Sequence, residues 1–112
     1  MKFRKIGKTD LYASVIGAGG YPFGPPLLDE KQSILVIKKA RDMGVNFFDT
    51  SDVYGQGDSE VFLGKATEEF RHDIILSSKF NLRNLNGKAP RTRIFERCEE
   101  ALTKLKTDYL DL

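Results

Sequence analysis

Three polar side chains of this chain follow two predicted β-strands at the points where those strands end. Asp49 and Tyr54 come after the apolar run Val45–Phe48, and Lys79 comes after the run Ile74–Ser78. A carboxylate, a phenol and an ammonium at strand ends are poor choices for a core and are typical of a functional site. If the strands are parallel, their loops meet at one edge of the sheet, so the three side chains can lie together.

The chemistry that such a trio supports is general acid catalysis. A phenol has a pKa near ~10 and is a weak acid at neutral pH, but a nearby ammonium stabilises its anion. A lysine buried beside a phenol needs a carboxylate to stay charged, and Asp49 can be that carboxylate. Taken singly, each residue also has a structural explanation: Asp49 as a cap or loop hydrogen-bonding group, Tyr54 as a rim aromatic, and Lys79 as a solvated charge.

The N-terminal part of the chain is predicted to form a hairpin, a short strand and a loop. Phe3–Ile6 and Leu11–Val15 flank a turn-rich tetrapeptide, which is typical of a small β-hairpin. Val15–Gly20 is predicted as a short strand that ends in glycines. Tyr21–Leu28, with three prolines and a glycine, is predicted as a loop. This strand therefore also ends at the edge where the candidate residues lie.

Three helices alternate with the strands. Asp29 can cap a helix from about Glu30 to Met43, and Gly44 follows as a stop signal. A second helix is predicted from about Ser59 to Phe70 and a third from about Thr92 to Leu105. Apolar residues at helical spacing mark one face of the first and of the third helix: Val36, Ile37, Ala40 and Met43, and then Ile94, Phe95, Cys98, Ala101, Leu102 and Leu105.

The order of elements predicts a parallel sheet built from right-handed βαβ units. A long polar loop, Asn81–Pro90, precedes the third helix, and Tyr109–Leu112 is predicted to begin a fourth strand. An open doubly wound sheet and part of a (β/α)8 barrel both fit this order. The glycines of Gly17–Gly20 are followed by loop rather than by a helix and lack the G-x-G-x-x-G spacing, so the Rossmann fingerprint is absent.

The composition is that of a globular protein with one domain. The chain has 112 residues, of which 40% are hydrophobic and 30% charged. Its net charge of +2 is too small to argue for nucleic acid or an anionic membrane as a partner, so we expect neither. The single cysteine, Cys98, excludes an intrachain disulfide and a cysteine-based zinc site, and we expect it to pack on its helix face. No metal site is predicted. No apolar run reaches the ~20 residues of a spanning helix, and no secretory signal is present, so we expect a cytoplasmic protein.

Four segments resemble the aldo/keto reductase family. FFDTSDVYGQGDSEVFLGK is similar to the signature around that family's catalytic aspartate and tyrosine, and SSK is similar to its catalytic lysine segment. RKIGKTDLYASVIGAGG resembles its N-terminal hairpin and first strand, and EALTKLKTDYLDL resembles the helix and strand that lead to its fourth site segment. The likeness covers nearly the whole chain.

This resemblance implies a truncated (β/α)8 barrel, of which the chain holds the hairpin, the first four strands and three helices as a single incomplete domain. It implies that Asp49, Tyr54 and Lys79 are catalytic. Tyr54 would donate the proton, Lys79 would make it a stronger acid, and Asp49 would hold Lys79 and approach the nicotinamide ribose. Gly20, Tyr21 and Asp49 would contact the cofactor. The implied reaction is hydride transfer from NADPH to the carbonyl carbon of a small aldehyde or ketone.

The family pattern breaks off at the end of the chain. The family's fourth catalytic residue is a histidine shortly after the strand that begins at Tyr109, and the chain stops before it. The only histidine, His72, precedes the third strand and should lie at the opposite edge of the sheet. The phosphate-binding loops of such barrels follow the seventh and eighth strands. We therefore expect a fragment with little activity of its own.

Two alternatives remain open at this point. The chain could be a half-barrel that assembles with another copy or with a complementary chain, because its unpaired sheet edges favour association. It could also be a non-catalytic auxiliary protein, like the relatives that serve as potassium-channel β subunits, although no sequence feature favours a channel partner.

Overall fold

The N-terminal hairpin leads into the sheet that carries the candidate residues. A computed structural model describes residues 1–81 and 90–112. Its first two strands, β1 (Phe3–Lys5) and β2 (Tyr12–Ser14), pair antiparallel. The Thr9 hydroxyl donates to the Ile6 carbonyl at 2.7 Å and stabilises the connecting turn. The predicted hairpin is confirmed.

Three short parallel strands form the sheet. They are β3 (Ala18–Gly19), β4 (Phe47–Asp49) and β5 (Ile75–Ser77), in the order β3-β4-β5. Gly19 lies opposite Asp49, and Asp49 lies opposite Ser77. The three strands therefore end level with one another, and the loops that follow them begin side by side, as the parallel arrangement predicts.

The helices α1 (Glu30–Asp42), α2 (Ser59–Thr67) and α3 (Pro90–Leu105) connect or follow the strands. Helix α1 begins with a capping box, in which the Asp29 carboxylate accepts the Gln32 N–H at 2.8 Å and the Gln32 side chain accepts the Asp29 N–H. Helix α2 ends at Thr67, earlier than predicted, and Phe70 departs from helical geometry (φ −133°, ψ 27°) in the segment that follows. The segment Glu68–Asp73 is a 3₁₀ turn instead.

The helix faces that pack in the core differ in part from the predicted apolar faces. On α1, Ser33 and Ile37 are buried, whereas Val36 is 44% and Met43 67% exposed. Positions 33 and 37 are one turn apart, while positions 36 and 43 lie about 100° round the helix from them. On α3, Ala101 and Leu105 are buried, Cys98 and Leu102 are half-buried, and Ile94 and Phe95 are exposed.

The segment Tyr109–Leu112, predicted as a fourth strand, lies alongside β5 without forming a regular ladder. The Asp111 N–H donates to the Leu76 carbonyl at 3.1 Å. The Leu76 N–H, however, is bound by the Asp111 carboxylate at 2.8 Å, and the Tyr109 carbonyl accepts from the Arg71 guanidinium at 2.9 Å. Side chains thus occupy backbone groups that a strand partner would otherwise use.

Two further predictions concern the surface. His72 is exposed at the end of the sheet opposite the candidate residues, with Nδ1 3.3 Å from the Tyr109 hydroxyl, as expected. Of the predicted loop Asn81–Pro90, residues 82–89 lie outside the described part of the chain, and Pro90 begins α3. Within the described ranges, no helix is long and apolar enough to cross a membrane.

Candidate active site

Asp49 and Lys79 form a two-point ion pair at the carboxyl end of the sheet. The Lys79 Nζ lies 2.8 Å from Oδ1 and 2.7 Å from Oδ2 of Asp49, and it also donates to the Thr50 carbonyl at 2.8 Å. The ammonium therefore has three acceptors. The Lys79 and Asp49 side chains remain 47% and 36% exposed, so the pair is open to a ligand from the solvent side.

The strand register fixes the position of the Asp49 carboxylate. Asp49 is the last residue of β4 and lies opposite Ser77 of β5, whose hydroxyl donates to Oδ1 at 3.1 Å. The next residue, Thr50, donates its N–H to the Ser77 carbonyl at 2.9 Å. Two contacts from one neighbouring residue thus hold the end of β4, and neither contact was part of the sequence prediction.

Tyr54 begins a tight 3₁₀ turn, Tyr54–Gly57, directly after the β4 loop. Gly55 and Gln56 in this turn both have positive φ, 57° and 56°. The turn brings the half-buried Tyr54 ring to the ion pair, with its centroid 4.9 Å from the Lys79 Nζ, within the range of a cation–π contact. Asp49, Tyr54 and Lys79 therefore lie together, as the sequence analysis predicts.

A close backbone contact joins the Tyr54 turn to the loop after β3. A Cβ at Gly24 would lie 2.7 Å from the Gly55 Cα, and a Cβ at Gly55 would collide with the Phe23 carbonyl oxygen. Only glycine permits this approach. The contact places the Tyr21 ring edge-to-face with the Tyr54 ring, with centroids 5.7 Å apart and an interplanar angle of 82°.

Gly20 and Tyr21, the predicted cofactor residues, occupy different environments. Gly20 is buried: its N–H donates to the Asp49 carbonyl at 2.6 Å, and its carbonyl accepts from the Ser59 hydroxyl at 2.8 Å. The Tyr21 side chain is 67% exposed beside Tyr54. Gly20 is therefore placed to hold the loops together, and Tyr21 presents an aromatic surface to solvent.

Two depressions adjoin the ion pair. A wide one of about 590 Å³ lies above it and is lined by Ser51, Asp52, Val53, Tyr54, Lys79, Phe80 and Asn81. A smaller one of about 60 Å³ lies between the Lys79 segment and α3, lined in part by Glu60, Ser78 and Cys98. Cys98 is thus half-buried at a cavity rather than packed in the core cluster.

Other charges near the site belong to α3. Arg97 lies with its Nε 3.9 Å from the Asp52 carboxylate and its Nη1 2.6 Å from the Glu100 carboxylate. This hydrogen bond from Arg97 lowers the pKa of the Glu100 carboxyl below its usual value. In residues 1–81 and 90–112, no group of three or more His, Cys, Asp or Glu side chains could hold a metal ion.

Parallel strands that alternate with helices and carry polar residues at their carboxyl ends are the arrangement of (β/α)8 barrel enzymes. Residues 15–112 match the model of the Aldo/keto reductase family, and the chain belongs to that family. It is 40% identical over 121 residues to aldo-keto reductase YhdN of Bacillus subtilis (strain 168), a match that covers 100% of this chain and 37% of that protein.

Solved structures show the same relationship. The holo form of aldo-keto reductase AKR11C1 from Bacillus halodurans is similar with a TM-score of 0.85 and 35% identity, over 98% of this chain and 38% of that one. The aldo/keto reductase from Klebsiella pneumoniae in complex with NADP and acetate is similar with a TM-score of 0.74 and 31% identity, over 89% of this chain and 34% of that one.

These comparisons decide between the two architectures that the sequence pattern left open. The chain is part of an α/β barrel rather than an open doubly wound sheet. It spans between one third and two fifths of the length of the relatives described above. The family prediction and the prediction of a truncated barrel are both confirmed.

Proposed function

We propose that this chain carries part of the active site of an NADP-dependent reductase of aldehydes or ketones. The observation that carries the proposal is the Lys79 ammonium, bonded to both oxygens of Asp49 and 4.9 Å from the Tyr54 ring centroid. Tyr54 is the proton donor, Lys79 is the cation that stabilises the phenolate left behind, and Asp49 holds Lys79 in place.

The proton transfer follows from these three groups. Bound NADPH supplies the hydride that the carbonyl carbon accepts. The Tyr54 hydroxyl then gives its proton to the carbonyl oxygen, so that an alcohol forms and a phenolate remains. The positive charge of Lys79 stabilises that phenolate, because unlike charges a few ångströms apart attract each other. Asp49 balances the charge of Lys79 before and after the transfer.

The donor set fits a nicotinamide ribose. Asp49 offers a partly exposed carboxylate, and the exposed Tyr21 ring offers a flat surface beside Tyr54. A carboxylate and an aromatic face are suited to ribose hydroxyl groups and to a nicotinamide ring respectively. We propose that Asp49, Tyr21 and the loop end at Gly20 form this chain's share of the cofactor site.

We propose further that the isolated chain binds NADPH weakly and turns over little substrate. Its share of the relatives' length is below two fifths in the matches described above. In such barrels the phosphate-binding loops follow the seventh and eighth strands. Most of the affinity for the cofactor phosphates therefore belongs to the remainder of a complete barrel.

NADPH titration of the ¹⁵N-labelled chain, followed by NMR, tests the site. We expect small shift changes that do not saturate at micromolar NADPH and that centre on Gly20, Tyr21 and Asp49. Asp49→Asn should weaken them, because it removes the carboxylate proposed for the ribose hydroxyl groups, whereas Asp10→Asn, which removes the exposed partner of Lys5 in the hairpin, should not. Saturation at micromolar NADPH would contradict the weak binding, and shifts confined to the hairpin would contradict the site.

Catalysis is tested in a protein that joins this chain to the remaining strands of a barrel. We expect Tyr54→Phe to lower kcat by about 10²–10⁴-fold, the range for losing a general acid. Tyr12→Phe is the matched control, because Tyr12 is 57% exposed in the hairpin and its carbonyl accepts from Asn46, which precedes β4, whereas Asp49 ends that strand. Equal activity of Tyr54→Phe and the parent protein would refute the role of Tyr54.

A second proposal concerns association between copies through the sheet edge. Strand β3 is an edge of the described sheet, and the preceding residues Val15 and Ile16 are 48% and 62% exposed. Unpaired edges flanked by apolar residues promote pairing with another chain. Sedimentation of the parent should show dimers or larger species that Ile16→Lys reduces, and a strictly monomeric parent would contradict this proposal.

A further inference from the structure

The first turn of α2 contacts every loop that builds the site. Helix α2 begins at Ser59, five residues after Tyr54 in the chain. The Ser59 hydroxyl bonds both the Gly20 carbonyl and the Thr50 hydroxyl at 2.8 Å. The next residue, Glu60, accepts a hydrogen bond from the Ser78 hydroxyl at 2.7 Å. Ser59 thus joins the loops after β3 and β4, and Glu60 joins the loop after β5.

Glu60 is a buried carboxylate, with only 2% of its side chain exposed. Burial of a charge is costly unless hydrogen bonds and an opposite charge compensate for it. Its second oxygen lies 3.5 Å from the Lys104 Nζ on α3, a longer contact with a side chain that is itself 33% exposed. The first turn of a helix also favours a negative charge. The shortest of these contacts is the hydrogen bond from Ser78.

Ser78 is the only residue between the end of β5 and Lys79. Its N–H donates to the Leu112 carbonyl at 3.3 Å, and its hydroxyl donates to the Glu60 carboxylate. On the other side, the Lys79 carbonyl accepts from the Asp52 N–H at 3.0 Å and from the Ser51 hydroxyl at 3.2 Å. Because Lys79 lies outside the strand, these contacts, rather than the sheet hydrogen bonds, fix the position of its Cα.

We propose that Glu60 is a positioning residue for Lys79. Through Ser78 it fixes the backbone from which the lysine reaches Asp49 and the Tyr54 ring, and it ties the segment that carries Tyr54 to the segment that carries Lys79. The catalytic meaning of this role rests on the proposed function. The alternative is that Glu60 serves only the packing of α2 against α3 through Lys104.

The chemical reactivity of the Lys79 amine distinguishes the two roles. Reductive methylation with formaldehyde and cyanoborohydride, followed by peptide mass spectrometry, gives the rate at which each lysine reacts. If Glu60 positions Lys79, Glu60→Met and Ser78→Ala should each raise the Lys79 rate by about fivefold, the factor for losing one hydrogen bond. The double variant should show no further increase, because both changes break the same contact.

Two controls separate the hydrogen bond from charge and packing. Glu60→Gln keeps an oxygen that can accept from Ser78, so it should restore most of the parent rate. Lys104→Gln removes the cationic partner of Glu60 and leaves Ser78 untouched, so the Lys79 rate should stay within about twofold of the parent. Lys65, in its exposed pair with Glu30, is the internal reference and should react equally in all variants.

An unchanged Lys79 rate in folded Glu60→Met or Ser78→Ala would overturn the proposal, as would failure of Glu60→Gln to restore the rate. If circular dichroism shows that Glu60→Met is unfolded, the Lys79 methylation rate of Ser78→Ala decides the proposal. Unfolding of both variants would make the contact a requirement for folding and would also overturn the proposal. The methylation rate needs no cofactor, so absent NADPH binding would refute the proposed function and leave this test intact.

Discussion

Gly20 and Asp49 show how single residues bring separate loops of the site together. The Gly20 N–H bonds the Asp49 carbonyl at 2.6 Å, and the Asp49 carboxylate in turn accepts from Ser77 and from Lys79. Asp49 and Ser77 are 28 residues apart in the chain, so the contact depends wholly on the strand register. At this scale, position in the sheet decides which atoms an aspartate can reach.

Replacing Gly20 by alanine should destabilise the protein. The new Cβ would lie 2.7 Å from the Ser59 hydroxyl, 2.9 Å from the Asp49 carbonyl and 2.9 Å from the Thr50 hydroxyl. Overpacking of this kind costs about 1–3 kcal/mol of unfolding free energy, which urea denaturation measures. Gly19→Ala is the control, because a Cβ there meets no atom within 4 Å. Equal stability of the two variants would contradict the close packing at Gly20.

Two elements are held in place by hydrogen bonds from polar side chains as well as by their own backbone. Helix α1 starts with the reciprocal bonds of Asp29 and Gln32. The segment 107–112 is held against β5 by Arg71, which donates to the Tyr109 carbonyl and to the Asp111 carboxylate, both at 2.9 Å. In each case, a polar side chain satisfies backbone groups that the element itself leaves unpaired.

Asp29→Ala should lower the unfolding free energy by about 1 kcal/mol, since an N-cap acceptor and its capping box are lost. Thermal denaturation followed by circular dichroism measures the change. Asp58→Ala is the matched control, because Asp58 precedes α2 without a capping hydrogen bond from its side chain. A loss at Asp58 as large as that at Asp29 would show that charge at the helix start, not the cap, is responsible.

Arg71→Met should cost about 3–5 kcal/mol, because it leaves the Asp111 carboxylate without its partner in a setting where the two side chains are only 6% and 12% exposed. Denaturation in urea gives the loss. Hydrogen exchange of the Leu76 amide should also become faster, because this amide donates a hydrogen bond to the Asp111 carboxylate, which Arg71 holds in place.

The control for Arg71→Met is Lys65→Met, which breaks an exposed pair with Glu30 and should cost under about 1 kcal/mol. A small loss for Arg71→Met, similar to that of the control, would mean that the segment 107–112 does not need this ion pair.

At the scale of the whole molecule, the described residues 1–81 and 90–112 share one hydrophobic core. Phe48 and Leu76 on neighbouring strands are fully buried and pack with Leu63 of α2 and Leu105 of α3. Leu35 of α1, by contrast, is 69% exposed. The distinction between these leucines comes from the arrangement of layers. Helix α1 buries only one stripe, so Leu35 faces solvent, whereas α2 is buried over most of its surface.

Leu76→Ala should therefore destabilise the protein by about 2–5 kcal/mol, the range for emptying a buried leucine site. The same substitution at Leu35 should change stability by no more than about 0.5 kcal/mol. Urea denaturation of both variants gives the comparison. If Leu35→Ala cost as much as Leu76→Ala, the exposed face of α1 would have to be covered in solution.

Much of the fold and the site was predictable from local patterns. The hairpin, the cap at Asp29 and the strands that end at Asp49 and just before Lys79 follow from turn residues and apolar periodicity, which act over a few residues. The burial of Ser33 instead of Val36 was not predictable, because it depends on which face of α1 packs against the rest of the fold. The irregular pairing of segment 109–112 was likewise not predictable, because it depends on hydrogen bonds from Arg71, which is distant in the sequence.

The sequence by itself determined the alternation of strands and helices, the family, and the three candidate side chains Asp49, Tyr54 and Lys79, whose roles are proposed above. These depend on residue type and spacing, which can be read directly from the sequence. Only the tertiary structure decided that Asp49 holds Lys79 by both oxygens, that Gly24 and Gly55 touch, and that Glu60 is buried against Ser78. Those contacts join residues far apart in the chain, and their distances are set by register and packing, which no local pattern encodes.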